Sequence, residues 1–118
     1  MKILTFTDLR KGDNIYILTP IENDYKISLY KVTGTNILRD GNLKIDCQVD
    51  DKDLVYVCLS CDINKSMYKR AGVYECYTTL EEAQHERKNK IKRDIDKTLK
   101  QIEELENKVT ILSNNFYN

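Results

Sequence analysis

No run in this 118-residue sequence is apolar for long enough to cross a membrane. The amino end, MKILTFTDLRKGD, reaches charge too soon for the apolar region of a signal peptide. A reducing, cytoplasmic setting is therefore expected. Net charge is also missing, with 19 basic and 19 acidic residues. The balance holds within parts: 11 of each through Thr78, then 8 of each. Neither part forms a broad electrostatic surface for nucleic acid. Histidine occurs once, so any Cys-His nucleophile pair must use His85. That residue sits among Gln84, Glu86 and Arg87 in a charged helical pattern and reads as solvated. No Ser-His-Asp order, Gly-rich phosphate loop or H-E-x-x-H motif occurs. No catalytic residue, cofactor or enzymatic activity is expected.

What is present falls into two patterns. Through Thr78, apolar residues recur with period 2 in short runs bounded by turn residues. NIYILTP sets Ile15 and Ile17 against Tyr16 and Leu18, and is expected to end at Pro20, which cannot donate to a strand ladder. YKISLYKVTG sets Ile27 and Leu29 against Tyr30 and Val32. NLKIDCQV places Leu43, Ile45, Cys47 and Val49 on one face, and the RDGN before it carries the Asp-Gly hairpin signal. DLVYVCLSC is apolar on both faces and reads as a central strand, and GVYECY as a last short one. Five short strands without helical crossovers predict a small, bent antiparallel barrel over 1–78.

From 79 the pattern is helical, with no Gly or Pro. Thr78 with Glu81, or Thr79 with Glu82, has capping-box spacing. Leu80 and Ala83 are the apolar residues before Ile91, and this first stretch is expected to dock on the barrel. From Ile91 a heptad register starts. Ile95, Ile102, Val109 and Phe116 fall at a; Ile91, Thr98, Leu105 and Leu112 fall at d. Beta-branched residues at a with Leu at d favour a parallel two-stranded coil. The candidate interface is thus Ile91, Ile95, Ile102, Leu105, Val109, Leu112 and Phe116. Its expected partner is a second copy in parallel, or another protein's helix or groove. Fold class is α+β: a small antiparallel barrel followed by one long carboxy-terminal helix over 79–118.

Three other features could carry chemistry. Cys58-Leu-Ser-Cys61 has C-x-x-C spacing, and with Cys47 and Cys76 could supply four zinc ligands. The pair lies in a strand-like run that would point its thiols to opposite faces, so core thiols are expected and no metal. RKNKIKR, 87–93, holds five basic residues and is the candidate for a phosphate contact. It would serve an alternative function, nucleic-acid binding, if Tyr16, Tyr30 and Tyr56 shared an outer face to stack bases. Acids at Asp94 and Asp96 follow at once, which favours a solvated face.

Two resemblances add to this. In FTDLRKGDNIYIL, the residues Leu9, Gly12, Asp13, Ile15 and Ile17 resemble the opening of SH3-like barrels, where a Lys-Gly-Asp turn leads into the first strand. Tyr77, Thr79, Leu80, Glu81, Glu82 and Ala83, closing a barrel before a charged helix, are similar to small proteins of phage genomes. The second resemblance implies a virion component or assembly factor, placed in host cytoplasm or virion. A composition of 14 Lys, 12 Ile and 10 Asn against 2 Ala has the codon bias of an AT-rich bacterial or phage genome.

Overall fold

The structure is a computed structural model that describes residues 4–50, 53–70 and 74–118. Its elements are a 3-10 turn (Phe6–Asp8), six strands and one helix. The strands are β1 (Asn14–Ile21), β2 (Asp24–Ile37), β3 (Leu43–Val49), β4 (Asp53–Leu59), β5 (Met67–Arg70) and β6 (Tyr74–Tyr77). The helix α1 runs Leu80–Tyr117. Compactness divides the chain into two units, Met1–Arg87 and Lys88–Asn118, with α1 continuous through the boundary.

The first unit is one antiparallel sheet in the order β4-β3-β2-β1-β6-β5, curled into a half-barrel. Fold class is α+β, as the sequence indicates. Its tight turns come from residues that tolerate positive φ. A two-residue loop with Asn23 at φ 59° joins β1 to β2. The Asp-Gly signal places Gly41 at φ 85° between β2 and β3, where the Leu38 amide donates to the Asn42 carbonyl at 2.8 Å. The long β2 serves two neighbours in succession. Residues 24–31 pair with β1 and 31–37 with β3, and a register shift between Val32 and Gly34 makes room for the bend.

Period-2 alternation sorts the side chains into two clusters. Ile15, Ile17, Val32, Leu43, Ile45, Cys47, Val57, Leu59, Tyr68 and Cys76 fill one face, where the 3-10 turn contributes Phe6, fully buried. Amides of Phe6 and Thr7 hold that turn by donating to the carbonyls of Lys65 and Ile63. Each large side chain so buried contributes about 1.5–3 kcal/mol. On the other face Leu18 and Tyr77 gather Tyr16, Tyr25, Ile27 and Met67.

Three features depart from expectation. The strand at DLVYVCLSC lies at the sheet edge, not its centre. Its second apolar face is exposed, with Leu54 at 78% and Tyr56 at 67%. β1 continues through Pro20 to Ile21, because its pairing with β6 stops at Leu18 and nothing there requires the missing amide. β5 is a sixth strand, pairing with β6. The last strand expected from the sequence begins at Gly72, and residues 71–73 lie outside those described. Among the described residues β4 and β5 do not pair as strands. Side chains reach toward β4 instead: the hydroxyl of Tyr74 on β6 donates to the Cys58 carbonyl of β4 at 3.2 Å, and the hydroxyl of Tyr68 on β5 lies 3.2 Å from Oγ of Ser60, the residue after β4.

Candidate helix-association interface

The helix starts where its cap dictates. Of the two capping-box spacings, Thr79 with Glu82 is used. The Glu82 amide donates to Thr79 Oγ1 at 3.3 Å, and that hydroxyl donates to Glu82 Oε1 at 3.0 Å. Thr78 is bound elsewhere, its hydroxyl donating to the Leu4 carbonyl at 2.6 Å.

The first two turns belong to the half-barrel. Ala83 is fully buried against Leu18 and Tyr77, which bears out the expected docking. The contact is largely polar around that small residue. Ser66 Oγ donates to Glu82 at 3.0 Å, and Lys69 Nζ reaches Glu86 at the same distance. Arg87 spans two acceptors, with Nε on the Tyr25 carbonyl at 2.9 Å and a terminal nitrogen on Asp24 at 2.7 Å. The Tyr25 amide and Arg87 together hold the Asp24 carboxyl below its ordinary range. Leu80, by contrast, is 41% exposed.

The second unit carries the heptad residues. Ile91 is half-buried, while Ile95, Ile102, Leu105, Val109, Leu112 and Phe116 are 46–81% exposed. Side chains three and four residues apart share a helix face, so these positions form a continuous apolar line. Thr98 is the polar member of that line. Its hydroxyl donates to the Asp94 carbonyl at 2.8 Å, so its donor is satisfied inside its own helix. The a and d template omitted Leu99, at e, which is 58% exposed beside the line. Ile111 and Tyr117 are exposed at positions away from it.

The other candidates are dispersed. Cys47 and Cys76 are buried thiols of the sheet core, as expected. Burial, with the nearby Asp46 charge, pushes the Cys47 thiol up to about 12, and burial likewise raises Cys76. Cys58 is half-buried on β4, whereas Cys61 lies beyond the strand and is exposed. Among the described residues no group of three or more His, Cys, Asp or Glu is placed to hold a metal ion. His85 is exposed on the first turns of α1. The three tyrosines do not share one face: Tyr16 packs with the Leu18–Tyr77 cluster, Tyr30 with the opposite core, and Tyr56 is exposed on β4. Within RKNKIKR, Arg87 is committed to Asp24 and Tyr25. No described helix is long and apolar enough to cross a membrane.

Neither a protein-family model, nor a curated protein, nor a solved structure was found to match this chain. The SH3-like and phage-protein resemblances therefore rest on their short motifs alone.

Proposed function

We propose that the chain is a non-enzymatic structural or adaptor protein that self-associates through residues 91–116 of α1. One observation carries the reading. Six large apolar side chains at heptad a and d positions are 46–81% exposed on a helix of 38 residues, about 57 Å long. The apolar line itself, from Ile91 to Phe116, is about 37 Å long, and a contiguous line of that length on a surface marks an interface. Its polar member, Thr98, has its hydroxyl already bonded, so covering the line strands no donor there.

The test is sedimentation velocity on the full chain over a dilution and salt series. An apolar seam predicts reversible association that persists as salt rises. A chain that associates only with added nucleic acid, in complexes that weaken steeply with salt, would reassign the function to phosphate binding.

A further inference from the structure

A helix with an apolar seam can meet a second copy in parallel or antiparallel, and the residues flanking the seam decide which. In the register above, Lys92, Leu99, Glu106 and Ser113 occupy e, and Asp94, Gln101, Lys108 and Asn115 occupy g. Lys92, Asp94, Glu106 and Lys108 are all exposed. In a parallel coil each g residue faces the e residue of the next heptad on the other helix. That brings Arg87 to Lys92, Asp94 to Leu99, Gln101 to Glu106 and Lys108 to Ser113. None is an opposite-charge pair, and the first sets like charges together.

An antiparallel pair matches e with e and g with g. Centring the crossing on Lys100 brings Lys92 to Glu106 of the second copy, and Asp94 to Lys108 of the second copy. Two-fold symmetry makes each pair occur twice. In both cases the paired positions differ in height by two residue steps, about 3 Å, within side-chain reach. The same register closes the core between Ile91 and Val109. Ile95 layers on Leu105, Ile102 on Thr98, and Val109 on Ile91, while Leu112 lies over the aliphatic stem of Lys88. It also accounts for Leu99. The one apolar residue at an e or g position from 92 to 115 meets its own copy at the symmetry centre. Sliding the register by one heptad either way loses both ion pairs and separates the two leucines.

Resting on the self-association proposed above, we infer that α1 pairs antiparallel with α1 of a second copy, in register about Lys100. The preference for beta-branched a and Leu d sets strand number within parallel coils, whereas e and g charges set orientation. The expected parallel direction is thereby revised.

Two experiments on the full chain test it. In the first, Glu106→Lys sets Lys92 against a like charge at two sites, and should weaken the dimer about tenfold. Glu103 lies three residues earlier, so the substitution supports the isolated helix and any loss is not unfolding. Adding Lys92→Glu should restore affinity, and failure to restore it overturns the register. In the second, Cys58 and Cys61 are changed to Ser, and chains carrying Ile95→Cys and Leu105→Cys are prepared separately, mixed and oxidised. A disulfide-linked mixed dimer is expected. Self-linked Leu105→Cys dimers with no mixed product would make the coil parallel, overturning this inference while leaving self-association intact. A parent chain that stays monomeric would overturn both.

Discussion

Leu105→Asp separates a seam residue from a core residue. In the single chain Leu105 is 61% exposed, so its replacement removes little packing. The helix-propensity difference is at most about 0.7 kcal/mol. In a coil the exposed part of each leucine becomes covered, and about three-fifths of a full leucine transfer energy is about 1–2 kcal/mol. Two copies give about 2–4 kcal/mol, so dimerisation should weaken about 30- to 1,000-fold before the cost of burying a carboxylate is added. The assay pairs sedimentation velocity with thermal melts followed by circular dichroism in the strand region. Expected are a shift to monomer and a sheet transition, compared under conditions where both proteins are monomeric, that moves little. Undiminished association of Leu105→Asp would refute the seam. Loss of the sheet transition would place Leu105 in the half-barrel's own core.

Three further outcomes follow from the first unit. Ala83→Arg forces a long charged side chain into a fully buried site against Leu18 and Tyr77, and should destabilise the sheet by about 3 kcal/mol in chemical denaturation; a loss under 0.5 kcal/mol would mean that the first turns of α1 are not docked there. Brief alkylation at pH 8 followed by mass spectrometry should label exposed Cys61 first and spare Cys47 and Cys76 until denaturant is added; early labelling of either would contradict their burial. The Cys47 thiol, raised from 9.0 to about 12, keeps its proton in the folded state after the unfolded chain has lost it. Stability is therefore complete below pH 9 and falls between pH 9 and 12, by about 1.4 kcal/mol per pH unit for this thiol. The slope of Tm against pH from 8 to 10.5 should be negative, and shallower in Cys47→Ala; an identical slope in the variant would contradict the assignment.

Alternation carried most of the sheet into view. Ile15 and Ile17 separate from Tyr16 and Leu18, and Leu43, Ile45 and Cys47 turn inward, because each strand has two faces in different surroundings. Asp-Gly was legible, and the helix cap was narrowed to Thr78 or Thr79, because turns and caps are local chemistry. What escaped depends on distant pairing. β4 reads as central from its own residues, yet β6 takes the place beside β1 from far along the chain, which leaves β4 at the edge. β5 has a single buried residue, Tyr68, amid Asn, Lys and Ser, too little for a period-2 signal. Phe6 sits in a 3-10 turn, where neither periodicity applies. The charged stretch 82–87 hides its docking contacts, since Ser66, Lys69 and Asp24 are its partners only in space. The apolar line of α1 was plain as a rhythm. Its e and g residues were equally present in the sequence, but they acquire meaning only when a second copy is laid against the first.

The most direct measurement is the molar mass of the parent chain by light scattering during size-exclusion chromatography, at tens of micromolar protein and two salt concentrations. Self-association through the seam predicts twice the 13.9 kDa of one chain, unchanged in high salt. A single species of one chain's mass at every concentration would contradict it.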